Sequence, residues 1–175
     1  MMKQALWQGL LAGAAGAVAM TLSERAEQRL TGRPDSEVPG LTMRRLTGMA
    51  ESTAPVSTNW TMHVGQAAAM GVLRSVMAHV GLRGPLSSAK FTVVRLTADQ
   101  ILENATGVGA PPQTWPRAEL LVDVLHKAVY GLTTGVVADA LAACSGLGPG
   151  QRHAAMAPGR HPHAGPLSRA QALSR

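Results

Sequence analysis

The stretch that decides the predicted fold is residues 86–143, LSSAKFTVVRLTADQILENATGVGAPPQTWPRAELLVDVLHKAVYGLTTGVVADALAA. Two segments of it, at about 87–107 and 117–143, repeat apolar residues at helical spacing. Between them lies the sequence Gly-Ala-Pro-Pro at 109–112, which is typical of a turn. The stretch therefore predicts two helices that fold back on each other as a hairpin.

Charged side chains of the two predicted helices fall on one stripe of each helix, because they recur every three or four residues. If the helices fold back at the prolines of the turn, residues at equal distances from the turn face each other. Acids and bases that face each other satisfy one another, whereas an unpaired charge inside a bundle is costly. We therefore predict a polar network between the two helices, made of Arg95, Asp99, Glu103, Asp123, His126 and Lys127.

Two further long helices are predicted upstream, over about 5–22 and 59–80, and the first of these segments carries no charge. Glycines spaced four residues apart, which let two helices approach closely, occur as Gly9 with Gly13 and as Gly131 with Gly135. The segment 39–49 predicts a short amphipathic helix, either on a bilayer surface or in an ordinary connection. The sequence thus predicts an all-α, four-helix integral membrane bundle over residues 1–144.

The first apolar segment has an alternative interpretation as a cleaved signal peptide. Lys3 precedes the apolar run, and Ala17-Val18-Ala19 fits a cleavage site. The helical pattern nevertheless continues without a break into residues 23–30, which favours a retained helix.

The composition supports helices packed in lipid. The chain is 46% hydrophobic but only 3% aromatic, and it contains 19 glycines. Membrane helices pack through small residues, whereas water-soluble cores usually bury large aromatic rings. The mean hydropathy of +0.07 is low for a multi-spanning protein. A charged residue costs roughly 2.5–3.5 kcal/mol at the centre of an isolated membrane helix, so we expect the charged stripe of 87–107 to face the bundle interior.

The net charge of +6 bears on the kind of partner that the chain contacts. The basic residues are scattered and form no run, so contact with anionic lipid headgroups is favoured over nucleic-acid binding. Residues 145–175, rich in Gly, Pro, Ala and Arg, predict a disordered basic tail. Cys144 is the only cysteine, which excludes an intrachain disulfide.

The hairpin carries the motif L-T-x-D-Q-x-L-E-N at 96–104, followed by G-A-P-P-x-T-W-P at 109–116 and His126-Lys127. This pattern resembles a family of bacterial integral membrane proteins with four predicted helices and no assigned activity. The resemblance covers residues 95–141 closely and the upstream helices only in general character. It implies a multi-pass location in the bacterial inner membrane and a third segment that spans the bilayer.

No motif for a catalytic nucleophile, a phosphate loop, a dinucleotide or a metal occurs in the sequence, so we expect no enzyme activity, no cofactor and no metal. The favoured hypothesis is a structural or interaction role, with the lipid bilayer and a second copy or a membrane partner protein as partners. The alternative is ion, proton or solute transport by an oligomer, because ionisable residues inside a membrane are often functional. The basic residues divide evenly between the two sides, so the membrane orientation stays open.

Overall fold

The computed structural model describes residues 2–49 and 56–156, and the regular structure of these residues is helical. The six helices of this part of the chain are α1 (Met2–Thr31), α2 (Val38–Thr47), α3 (Val56–Val80), α4 (Pro85–Ala105), α5 (Arg117–Ala143) and α6 (Pro149–Met156). A short 3-10 turn, Pro112–Thr114, lies between α4 and α5. The predicted all-α fold is confirmed.

The helix bounds follow from local chemistry. α2 and α4 begin with Pro39 and Pro85 in their first turns, where the missing N–H costs no helical hydrogen bond. α2 ends at Gly48, whose positive φ of 69° favours glycine. α1 continues nine residues past the predicted apolar segment 5–22, and α3 begins at Val56, three residues before the predicted start. The predicted bounds of α5 match the structure.

The segment predicted as a disordered tail differs from the structure in its first part. Residues 149–156 form α6, which packs against the end of α3. The Gln151 side chain accepts a hydrogen bond from the Gly148 N–H at 2.9 Å and covers Gly81 in the α3–α4 turn. These contacts are tertiary, so the composition of the segment did not predict them. Residues 157–175 lie outside the described residues.

Four helices, α1, α3, α4 and α5, form an up-and-down bundle. α1 packs on α3 and α5, α4 packs mainly on α5, and α2 lies against α3. We call the end that holds the C-termini of α1 and α4 and the N-termini of α3 and α5 the open end. The opposite end, with α6 and the α3–α4 turn, is the closed end.

The bundle buries polar side chains and exposes large apolar ones, which is the opposite of a water-soluble domain. We call this distribution inside-out. Seven of the ten apolar side chains buried among the described residues are alanines, and fourteen polar or charged side chains are buried beside them. Large apolar side chains lie outside instead: Leu121 and Val136 are each 69% exposed, and Ile101 is 65% exposed. Soluble proteins bury such residues and expose the charged ones.

Glycines set the contact between α1 and α3. Gly9 lies against Val72, and a Cβ atom at Gly9 would come within 2.8 Å of the Val72 backbone nitrogen. Gly13 packs against the backbone of Ala67 and Ala68 one turn further along α1. The two helices therefore meet backbone to backbone.

The second predicted glycine pair lies between α4 and α5. Gly131 contacts the side chain of Thr92, and Gly135 contacts that of Ser88. All four glycines predicted to mediate packing thus lie at helix–helix contacts in the structure.

Two of the described helices, α1 and α5, are long and apolar enough to cross a membrane. The other two long helices carry charges that lower their hydropathy, and most of these charges point inward. Arg74 on α3 is fully buried and Arg95 on α4 is 3% exposed, whereas Lys90 near the start of α4 is exposed. The low mean hydropathy of the chain therefore reflects, in part, a charged interior.

Candidate functional site

A buried ionic cluster lies where α3, α4 and α5 meet. Asp99 Oδ2 is 3.3 Å from the Lys127 ammonium and accepts a hydrogen bond from Arg95 Nε at 3.0 Å. The same Lys127 nitrogen is 2.7 Å from Asp123 Oδ1. Gln66 of α3 donates to Asp99 Oδ1 at 2.7 Å. We call Arg95, Asp99, Asp123 and Lys127 the central cluster.

Helix periodicity positions this cluster. Arg95 and Asp99 are four residues apart on α4, and Asp123 and Lys127 are four apart on α5, so each pair shares a helix face. The Arg95 guanidinium also lies 5.2 Å from the centre of the Tyr130 ring, within range of a cation–π interaction. Four of the six predicted network residues are brought together in this way.

His126 lies apart from the central cluster, in contrast to the prediction. Its Nδ1 is 2.9 Å from the Ser23 hydroxyl, and its Nε2 is 3.7 Å from Glu27 Oε2, so the ring faces α1. Neighbouring residues on a helix point about 100° apart, since an α-helix has 3.6 residues per turn. With Lys127 directed at α4, His126 is therefore directed at α1.

Glu27 forms an ion pair with Arg33 at the open end. Its carboxylate accepts hydrogen bonds from the Arg33 guanidinium, the shortest at 2.8 Å, and from the Thr31 hydroxyl at 2.7 Å. The hydrogen bond from Arg33, with a smaller effect of Thr31, lowers the pKa of Glu27 to about 2. This contact fixes the connection between α1 and α2 over the open end.

Glu103, the remaining predicted residue, lines a cavity of about 560 Å³ at the open end. It lies one helical turn beyond Asp99 and forms no ion pair with any other described residue. The cavity is bounded by all five of the helices α1–α5 and by the turn that follows α4, and the central cluster forms part of its wall.

A second ionic cluster, which the sequence analysis missed, lies at the closed end. The fully buried Arg74 guanidinium of α3 is 2.8 Å from Asp139 of α5 and 3.3 Å from the Ser88 hydroxyl. The other carboxylate oxygen of Asp139 accepts from the Gly84 N–H at 2.8 Å. We call Arg74, Ser88 and Asp139 the closed-end cluster.

A signal for the closed-end cluster exists in the sequence. Arg74 and Asp139 are single charges of opposite sign, each within two turns of the C-terminal end of an apolar segment. In an up-and-down bundle, α3 and α5 end on the same side, which places the two charges at similar depth. Opposite charges at similar depth on two neighbouring helices predict an ion pair, so the sequence contains a signal for this one.

Two aromatic side chains separate the clusters. Phe91 and Tyr130 are both buried, and their ring centres are 5.9 Å apart. The Tyr130 hydroxyl donates to the Ala67 carbonyl oxygen at 2.6 Å, which ties α5 to α3. Along α4 and α5 these rings lie between the central and the closed-end clusters.

Comparisons with protein-family models, with curated proteins and with solved structures give no match. The resemblance of the hairpin to a family of four-helix membrane proteins therefore stays a prediction. The features of the molecule that bear on its function are the two clusters, the cavity and the outer surface.

Proposed function

We propose that this chain is a four-span integral membrane protein of the bacterial inner membrane, with α3, α4, α5 and about residues 5–22 of α1 as the spans. The observation that carries the proposal is the inside-out distribution of side chains, with leucine, isoleucine and valine outside and charged residues inside. Lipid solvates the first group and excludes the second, whereas water would favour the opposite arrangement.

The positions of the exposed charges support the same location. Each exposed charged side chain on the four long helices, within the described residues, lies within two turns of a helix end. These residues are Lys3, Arg25, Arg29, Lys90, Arg117 and Glu119. Long side chains near a helix end reach the bilayer interface, so such positions are compatible with a span.

Helix length and tryptophan positions agree with this proposal. The four helices contain 21 to 30 residues, so they are about 32–45 Å long at about 1.5 Å per residue. A bilayer hydrocarbon core is about 30 Å thick. Trp7 lies near the closed end, and Trp60 and Trp115 lie near the open end, as in the aromatic belts of membrane proteins.

Within this membrane bundle we assign the ionic clusters a structural role. The central cluster ties α3, α4 and α5, and the closed-end cluster ties the same three helices at another depth. Phe91 and Tyr130 fill the interior between the clusters, which favours packing over a conducting path. The apolar outer faces would then contact lipid and a second copy or a membrane partner protein.

Transport of an ion, a proton or a solute by an oligomer is the second candidate. The observation that favours it is the series of buried ionisable residues along the interior, which continues from the cavity to the closed-end cluster. Proton flux into proteoliposomes distinguishes the candidates. A relay requires flux that Lys127→Met abolishes while the bundle stays folded, whereas a structural role predicts no flux in either protein.

A substitution on the outer surface tests the membrane proposal. Val93 is 61% exposed near the middle of α4, and Leu46 is 54% exposed on α2, outside the proposed spans. We expect Val93→Arg to reduce the amount of protein in the membrane fraction, since arginine at mid-span costs roughly 2.5–3.5 kcal/mol. Leu46→Arg is the matched control and should accumulate normally. Equal accumulation of both variants would contradict the four-span proposal.

A further inference from the structure

The cavity at the open end has the size and position of a small-molecule site. Its volume of about 560 Å³ lies within the range of roughly 300–1,000 Å³ typical of ligand pockets. Part of its wall comes from the α1–α2 connection, at residues 33–36, and from the turn at 108–110. Both segments lie beyond the proposed spans, so a ligand would enter from the aqueous phase.

The side chains that line the cavity carry an excess of negative charge. Six carboxylates line it, at Glu24, Asp35, Asp99, Glu103, Glu119 and Asp123, against three permanent cations, at Arg33, Arg95 and Lys127. Each of these cations already forms an ion pair with a carboxylate. The excess is local, because the whole chain has a net charge of +6.

Three of the lining carboxylates, Glu24, Glu103 and Glu119, form no ion pair with another described residue. Burial raises the pKa of Glu24, and the charge of Arg33 offsets only part of this effect. A cationic group in the cavity would supply the missing compensation.

Polar atoms without hydrogen-bond partners also border the cavity. The Thr42 hydroxyl, Arg95 Nη1 and His126 Nε2 are buried, and each lacks a hydrogen bond in the structure. All three residues are at least nine-tenths buried and line this cavity. A buried polar atom left unsatisfied costs free energy, so a ligand with a hydrogen-bonding oxygen would stabilise this wall.

A bare metal ion fits the cavity poorly. The described residues contain no group of three or more histidine, cysteine, aspartate or glutamate side chains placed to hold a metal. The unpaired carboxylates come from three different helices, α1, α4 and α5, and so suit a ligand with separated polar groups.

We propose that the cavity binds a small organic ammonium ion that also carries a hydroxyl or carbonyl oxygen. The ammonium group lies toward the unpaired carboxylates of Glu24 and Glu103. The oxygen lies toward Thr42 and Arg95 Nη1, which gain the hydrogen bonds they lack. The inference rests on the cavity and not on the membrane location, because the same residues line it in either setting.

The test uses the purified full-length protein in detergent micelles and isothermal titration calorimetry at constant ionic strength. Ethanolammonium is the probe, ethylammonium is the matched ligand without the oxygen, and sodium acetate is the control salt. We expect saturable binding of ethanolammonium, binding of ethylammonium weaker by several-fold, and no saturable heat from sodium acetate. Absence of saturable ethanolammonium binding, or equal affinity for both ammonium ions, would overturn the proposal.

Two variants locate the site. Glu103→Gln should weaken ethanolammonium binding by about tenfold, in line with the loss of one charged hydrogen bond. Glu37→Gln is the matched control, because Glu37 is exposed and lies outside this cavity. Its affinity should equal that of the wild type. An equal loss in both variants would mean a general charge effect and would overturn the assignment.

The second variant, Thr42→Val, tests whether the oxygen of the ligand lies toward Thr42. Valine has a similar shape and removes a buried hydroxyl that has no partner, so the variant should fold as well as the wild type. We expect it to lose the preference for ethanolammonium over ethylammonium. A preference that survives in folded Thr42→Val would contradict the placement of the oxygen.

Discussion

The central cluster and the closed-end cluster each hold a buried arginine beside an aspartate, but their surroundings differ. At the closed end one arginine meets one aspartate, and Ser88, the Leu82 carbonyl and the Gly84 N–H provide further hydrogen bonds. The central cluster borders a cavity in which carboxylates outnumber cations. A balanced pair whose arginine is fully buried is suited to hold helices together, whereas an unbalanced cluster beside a cavity is suited to bind a ligand.

The largest expected loss of stability comes from a substitution in the closed-end cluster. Arg74→Met leaves the Asp139 carboxylate, which is 21% exposed, without its cation. Because water reaches part of this carboxylate, we expect a cost of about 3 kcal/mol, the lower limit for breaking a buried pair. The free energy of unfolding in detergent micelles, measured by denaturant titration, reports the loss. Lys90→Met removes an exposed cation and serves as the control, with little change expected.

A double variant shows whether the loss comes from the unpaired charge. Arg74→Met combined with Asp139→Leu removes both charges and should recover most of the stability lost in the single variant. About 1 kcal/mol should stay lost, because Gly84 N–H loses its acceptor. A double variant no more stable than Arg74→Met would refute the pairing.

A smaller loss is expected in the central cluster. Asp99→Asn weakens the contacts of Arg95 and Lys127, but Lys127 keeps Asp123, and water in the cavity can solvate the charges. We expect a cost of about 2 kcal/mol by the same denaturant titration. Asp123→Asn is the comparison, and it should cost about 1 kcal/mol, since the Asp123 side chain is 25% exposed and Lys127 keeps Asp99 as its partner. A larger loss of stability in Asp123→Asn than in Asp99→Asn would show that Asp99 is not the centre of the cluster.

A third pair of variants measures how much the close packing of α1 on α3 contributes to stability. Gly13→Ala places a methyl group against the backbone of Ala67 and Ala68, and overpacking of this kind costs about 1–2 kcal/mol. Gly65 on α3 has open space around it, so Gly65→Ala should stabilise α3 by about 0.5–1 kcal/mol. Thermal unfolding of both variants measures the difference. Equal effects of the two substitutions would argue against close contact of α1 and α3.

The smallest effect on stability is expected from the partly buried Glu27–Arg33 pair at the open end. The pKa of Glu27 falls from 4.5 to about 2 in the folded protein because Arg33 donates to it. A lowered folded-state pKa stabilises the fold above about pH 4.5, and this contribution is lost as the pH falls toward about 2. Glu27→Gln should therefore lower the Tm at pH 7, and this difference should shrink as the pH falls toward about 2. A Tm difference that stays constant over this range would contradict the Glu27–Arg33 contact.

Sequence periodicity predicted the long helices and the residues of the central cluster for identifiable reasons. Arg95 with Asp99, and Asp123 with Lys127, repeat at helical spacing on either side of a turn rich in proline, so their partners follow from the hairpin alone. The pairing of Arg74 with Asp139 joins residues 65 positions apart and depends on the arrangement of the whole bundle.

The cavity could not be predicted from the sequence because it depends on contacts between distant segments. Its wall includes Thr42 of α2, a helix that the sequence placed on a surface or in a connection. The direction of His126 toward α1 has the same origin, since α1 was not positioned relative to α5 by any local pattern. Spacing within a helix fixes a face, but only the tertiary arrangement fixes what that face meets.

The inside-out arrangement, with charged residues in the interior and apolar residues outside, implies that lipid surrounds the bundle. The most direct test is fractionation of the expressed protein by an alkaline carbonate wash followed by detergent. We expect the protein to stay in the membrane pellet through the wash and to be released only by detergent. Release into the carbonate supernatant would contradict the account and make the bundle a soluble or peripheral protein.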